Sequence, residues 1–158
     1  MTVILGIDPG LTGALAWLRD DGVLLEVRDM PALDGEVSAT MLAHDEEITR
    51  NRVTLAILEW PGLMPTKNNS AKTLRSIGMT LGTISAVLAV RGIPCHRVTP
   101  AHWKNQLGLH SDKGESRALA MRLWPDHGDR FARVKDDGRA EAALLAWWWL
   151  SKKMGQVA

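Results

Sequence analysis

Apolar residues come in short unbroken runs that stop on a carboxylate. Val3 to Ile7 ends at Asp8, before Pro9-Gly10; Val53 to Leu58 ends at Glu59, before Pro61-Gly62. Runs of that length without alternation, closed by turn residues, predict strands buried on both faces. Ala14–Arg19 and Val23–Arg28, separated by Asp20-Asp21-Gly22, predict two further strands continuing the first as an antiparallel meander. Pro31 to Gly35 reads as a loop, and Ser38 as the N-cap of a short polar helix reaching about Arg50. With that helix intervening, the Val53–Glu59 strand is expected to join parallel to the first.

From Ser70 to about Arg91 the period changes. Leu74, Ile77, Leu81, Ile84 and Leu88 alternate steps of three and four, the stripe of a long packed helix. Gly78 and Gly82 sit beside the stripe and allow close backbone approach; helix-on-sheet packing is the expected use, a symmetric dimer seam the alternative. Gly92-Ile93-Pro94 punctuates before a fifth strand, Cys95–Val98, and Thr99-Pro100 opens a helix carrying Lys104. His110–Glu115 reads as a loop, Ser116–Leu123 as a helix and Pro125–Asp136 as irregular chain. The last helix, Arg139–Lys152, carries Leu144, Leu145, Trp147, Trp148, Trp149 and Leu150 around nearly its whole circumference, so it is buried or meets a partner. Without a repeat or a dividing linker, residues 1–158 are expected to form one mixed α/β domain.

Composition narrows the classes. Cys95 is the single cysteine, which excludes an intrachain disulfide and a multi-cysteine zinc site. The first apolar run meets Asp8 too early for a secretory leader and nothing reaches membrane-spanning length, so a cytoplasmic protein is expected. The net charge of +1 hides an asymmetry: residues 1–66 hold 4 Lys and Arg against 11 Asp and Glu, and the remainder 15 against 7. The C-terminal part is therefore the side expected to face a polyanion.

Asp8 has two readings. A carboxylate at the edge of a core is costly unless a cation or donors compensate it, which suits a metal ligand; equally, Asp caps turns such as Pro9-Gly10. Glu59 repeats the arrangement. Asp137 and Glu141, four apart at the start of the last helix, lie about 40° apart on one face. Together the four make an all-oxygen set suited to Mg²⁺ or Mn²⁺. The five histidines lack the spacing of a zinc motif and are expected at the surface, with His110 or His127 at most assisting proton transfer.

Gly6-Ile7-Asp8-Pro9-Gly10-Leu11-Thr12-Gly13, then Leu58-Glu59, Val98-Thr99-Pro100 with Trp103-Lys104, Lys113, and Asp137 with Ala140-Glu141-Ala142 resemble, in order and spacing, the RuvC family of Holliday-junction resolvases in the ribonuclease-H-like superfamily. The resemblance implies a five-stranded mixed sheet, three strands antiparallel and then parallel ones, flanked by helices. It implies that Asp8, Glu59, Asp137 and Glu141 hold two divalent ions, that Lys104 lies near the scissile phosphate with Lys113 a second basic residue, and that a homodimer cuts four-way DNA junctions in pairs. Two ions about 4 Å apart suit phosphodiester hydrolysis, since they activate water and stabilise both the transition state and the leaving oxygen. Departures are Glu141, where the family usually has Asp, and Gly138, where many members carry an acid or His; Asp136 is a weaker substitute ligand. Lys67, Lys72, Arg75, Lys113 and Arg117 are expected to contact phosphates, and Trp60 either stacks on an unpaired base or is an ordinary half-buried Trp. The long Ser70–Arg91 helix would carry the dimer interface. A general flap or fork nuclease and a junction-binding protein with lost catalysis remain alternatives. The opening motif also resembles the phosphate loop of actin-like ATPases, but these need a second such domain, so neither a nucleotide cofactor nor a membrane is expected.

Overall fold

The computed structural model describes residues 2–45, 47–48, 52–62, 70–110 and 113–155. Five strands form one sheet in the order β3 (Leu24–Asp29), β2 (Ala14–Arg19), β1 (Val3–Asp8), β6 (Val53–Glu59), β7 (Cys95–Val98). β1 pairs antiparallel with β2 and parallel with β6, and β7 is parallel to β6. The meander and the parallel crossovers are those expected from the sequence. Strands β1 and β2 are buried on both faces, which is why their apolar runs do not alternate.

The first departure lies at residues 31–37. The expected loop contains a small hairpin, β4 (Ala32–Leu33) with β5 (Glu36–Val37), turned by Asp34-Gly35 at φ 53° and 79°. Asp-Gly with both residues at positive φ is the turn whose twist matches two antiparallel strands. The second departure follows it. Ser38 caps α1, accepting from the Met41 N–H at 3.3 Å, but α1 spans only Ala39–Ala43 and is broken at His44-Asp45, and Arg50 lies outside the described residues. Asp45 marks the break: it accepts the backbone N–H groups of Glu47 and Ile48, the N-cap arrangement that opens a new helical turn at residues 47–48.

Helix α2 (Ala71–Val90) lies on one face of the sheet; α3 (Pro100–Gln106), α4 (Lys113–Leu123) and α5 (Asp137–Lys153) cover the other. Side-chain alternation separates two cores. Val3, Leu5, Ile7, Leu15, Trp17 and Leu58 meet α2, whereas Ile4, Ala16, Leu18 and Ile57 meet α5 with Trp103, Trp148 and Phe131. α4 begins one turn earlier than expected, and 3₁₀ turns occupy Pro125–Arg130 and Val134–Asp136.

Helix α2 corrects two expectations. Beta carbons built at Gly78 and Gly82 would meet nothing within 4 Å, so these glycines do not serve packing on the sheet. Helix α2 is also long and apolar enough, by length and composition alone, to cross a membrane, with mean hydropathy 1.4. Its inner stripe of Leu81, Ile84 and Leu88 packs on the sheet, while Met79 and Val90 stand 45% and 87% exposed. At 100° per residue the helix has three faces: the stripe in the core, a small-residue face of Gly78, Gly82 and Ala89, and a face of Lys72, Ser76, Thr80 and Thr83.

Candidate active site

Parallel register assembles the first half of the site. Ile7 pairs with Leu58, so the next residues, Asp8 and Glu59, end neighbouring strands at the same level and on the α5 face. Gly6 lies on that face one pleat earlier. A beta carbon there would fall within the van der Waals shell of the Ala142 carbonyl oxygen and 3.1 Å from the Ala146 nitrogen. Glycine at position 6 lets the α5 backbone rest directly on β1, and this brings Glu141 to Asp8.

Gly138 is held as closely. Its added beta carbon would be 2.6 Å from the Thr12 carbonyl oxygen and 3.0 Å from Asp8 Oδ2. This explains why no acid stands at 138 here: the Asp8–Gly13 turn fills the space a side chain would need. The acids of α5 must then come from Asp137 or from Glu141, one turn on.

The electrostatics identify a strained group. Burial, then the charges of Glu59 and Glu141, push the Asp8 carboxyl up to about 7, against the weaker opposing effects of the Gly10 backbone N–H and Lys104. The Gly10 bond means that turn capping and membership of the acid cluster coexist. Glu59 is only 9% exposed and is also raised, mainly by burial, despite a 2.8 Å bond from Trp103 Nε1 to its Oε2 and the nearby charge of Lys104. Lys104 Nζ sits 2.8 Å from Glu141 Oε1.

Asp137 is engaged elsewhere: Arg117 Nε donates to its Oδ1 at 2.9 Å, and Arg117 Nη1 also reaches the Ala132 carbonyl at 3.3 Å. Asp136 is committed to Arg133, which binds it through its backbone N–H and guanidinium and lowers its pKa. Arg139 clips the same helix end to β3 through both carboxylate oxygens of Asp29. Among the described residues no three acid, His or Cys side chains stand together as a formed metal cluster. The chemistry of the gathered set nevertheless fits a hard divalent cation. It is all oxygen, and Asp8, Glu59 and Glu141 face one Lys; burial, and then this excess of negative charge, holds a proton on Asp8 up to about 7.

A cleft of about 350 Å³ opens beside Asp8 and Glu59, bounded by Gly10, Thr12, Pro61, Ser76 and Thr80. Ser76 and Thr80 also border a groove of about 510 Å³ between the β4–β5 hairpin and α2, where Lys72 and Arg75 lie with Glu36 on the opposite wall. The two are therefore contiguous. Among the described residues, Trp60 is stacked by Arg97, whose Cζ lies 4.0 Å from the ring centroid. Lys67 lies outside the described residues; Lys113 opens α4. His96 is partly buried against Trp149, not free at the surface. Sequence reasoning missed Trp103, whose place next to Lys104 was the one available signal.

Comparison with solved structures decides the fold. The chain superposes on Thermus thermophilus RuvC in complex with a Holliday junction substrate over 99% of its own length and 98% of the other, with TM-score 0.67 and 18% identity. It has the RuvC fold. A second Thermus thermophilus RuvC structure gives TM-score 0.61 at 20% identity, covering 99% and 98%, and a fowlpox virus Holliday junction resolvase 0.53 at 12%, covering 97% and 99%. In sequence, this RuvC-like chain is 36% identical over 96 residues, 58% of its length, to the chloroplastic Holliday junction resolvase MOC1 of Chlamydomonas reinhardtii. It matches only 10% of that relative's length. No family model matches.

Proposed function

We propose that this chain is a metal-dependent, structure-selective endodeoxyribonuclease that resolves four-way DNA junctions by paired hydrolysis. The observation that carries it is the gathering of Asp8, Glu59 and Glu141 around Lys104, in a fold shared with a RuvC bound to a junction. Asp8, Glu59, Glu141 and Asp137 would hold Mg²⁺ or Mn²⁺, two ions per site. When bound, such ions would supply Lewis acidity to the phosphate and to the attacking water. The protein's own part is to hold the acids together at the strand ends and to bring Lys104 to the phosphate as a positive charge. Lys104 and Arg117, now paired with Glu141 and Asp137, would pass to the DNA phosphate and leave those acids to the ions.

The groove beside α2 supports a path for the DNA backbone, with Lys72 and Arg75 as its cations and Ser76 and Thr80 as hydroxyl donors. Among the described residues neither cation has an acidic partner. Replacing both with Ala should weaken junction binding irrespective of sequence and lower the slope of log K against log salt by about 2, measured by fluorescence anisotropy from 50 to 200 mM salt.

The open small-residue face of α2 supports a homodimer, which suits a two-fold junction. Gly82→Glu should give a monomer in sedimentation velocity with unchanged circular dichroism; a wild type already monomeric with DNA bound would remove the dimer.

The decisive experiment is cleavage of a labelled synthetic four-way junction beside a matched flap and a linear duplex, with Mg²⁺ or EDTA. Symmetric metal-dependent nicks confined to the junction are expected. Equal cutting of flap and junction would make this a general branched-DNA nuclease. Binding without cutting, in Mg²⁺ or with Mn²⁺ in its place, would leave a junction-binding protein, the reading favoured by the cation-paired state of Glu141 and Asp137.

A further inference from the structure

Two consecutive residues of α3 reach acids on two different elements. Trp103 donates its indole N–H to Glu59 on β6, and Lys104 pairs with Glu141 on α5. Trp103 is fully buried in the core between sheet and α5, and Trp148 fastens the same short helix by donating to Gln106 Oε1 at 2.6 Å. We propose that Trp103 is a positioning residue for the metal site, fixing the Glu59 carboxylate through Oε2 so that Oε1 is presented to an ion in the cleft.

Packing alone does not require this bond. Among the described residues the indole nitrogens of Trp17 and Trp149 are buried without a hydrogen-bond partner, whereas those of Trp124 and Trp148 donate, so burying a tryptophan in this chain does not by itself require the bond. At Trp103 the N–H is aimed at an acid that lines the cleft, and among the described residues Glu59 Oε1 has no hydrogen-bond partner. The donor type matters. An Arg or Lys at 103 would hold Glu59 equally well but would cancel its charge and compete with a divalent ion. An indole N–H is neutral: it stabilises the ionised form of a desolvated carboxylate and leaves the whole negative charge for the ion. Outer-sphere donors of this kind set ligand orientation and typically carry 10–100-fold in metal affinity.

The inference rests on the nuclease reading, and the test separates the two. Mn²⁺ binding would be measured by electron paramagnetic resonance and by calorimetry, without DNA, on wild type, Trp103→Phe and Glu59→Gln. Trp103→Phe keeps an apolar ring and removes only the donor, so it should bind Mn²⁺ about 10–100-fold more weakly while its junction affinity in EDTA is unchanged. Should Trp103→Phe not fold, the indole resonance of Trp103 answers in wild type and Glu59→Gln. The ¹⁵N–¹H indole resonance of Trp103 should move on Mg²⁺ titration and be displaced in Glu59→Gln. Equal Mn²⁺ affinity in wild type and a folded Trp103→Phe, or an indole resonance indifferent to both Mg²⁺ and Glu59→Gln, overturns the assignment. A wild type that binds no Mn²⁺ overturns this assignment and the nuclease reading together.

Discussion

Asp8→Asn should abolish junction cleavage, by at least ~10³-fold, while leaving junction binding intact. It should also make the metal-free protein more stable at pH 8. The folded chain holds the Asp8 proton to about 7, whereas the unfolded chain releases it near 3.8. Stability from that proton is fully present below 3.8 and is lost as pH rises through 7, because the ionised carboxylate is buried beside two other acids. At pH 8 the cost is about 2–4 kcal/mol, and Asn removes it, for a gain in melting temperature of roughly 5–15 °C. At pH 4 the two proteins should melt together. Mn²⁺ should raise the melting temperature of wild type at pH 8 and do little for Asp8→Asn, since the ion takes over the compensation that the proton gives. Melting curves at pH 4 and 8, with EDTA or Mn²⁺, read all of this; a mutant less stable than wild type at pH 8 would mean that Asp8 is a structural cap and not a charge held in reserve.

The largest loss of stability is expected from one methyl group. Gly6→Ala drives its beta carbon into the Ala142 carbonyl, and both colliding parts are backbone, the centre of a sheet and the middle of α5. Neither can relax by turning a side chain. The cost should exceed ~4 kcal/mol, enough that the protein fails to fold or folds with α5 lifted off β1, and cleavage goes with it because Glu141 departs from Asp8. Gly78→Ala is the control. Its beta carbon meets nothing, and alanine gains about 1 kcal/mol over glycine within a helix. Urea titrations of the two variants should therefore shift in opposite directions; a Gly6→Ala protein of wild-type stability would show that the α5–β1 contact is looser than described.

These two results separate what local pattern carries from what it does not. The strands and their acid ends were legible because burial on both faces forces continuous apolar runs, and a polar residue can stand only where a run leaves the core. Helix α2 was legible by its stripe, and the Asp137–Glu141 spacing by helical period. The hairpin at Asp34-Gly35 was present in the sequence as turn chemistry but was read as loop, since two-residue strands carry no periodicity. The break after α1 is marked by a side chain, Asp45, capping the new helical turn at residues 47–48.

Sequence alone determined which carboxylates sit at strand ends and which share a helix face, because each follows from neighbours within a few residues. Only the tertiary structure decided that Asp8, Glu59 and Glu141 charge one another, that Arg117 takes Asp137 and Arg133 takes Asp136, that an indole 44 residues away holds Glu59, and that two glycines of α2 face open space. The physical reason is range. Periodicity and turn chemistry act along the chain, whereas desolvation, ion pairing and backbone-to-backbone contact depend on distance in space, and β1, β6, α3 and α5 meet only after the sheet has closed.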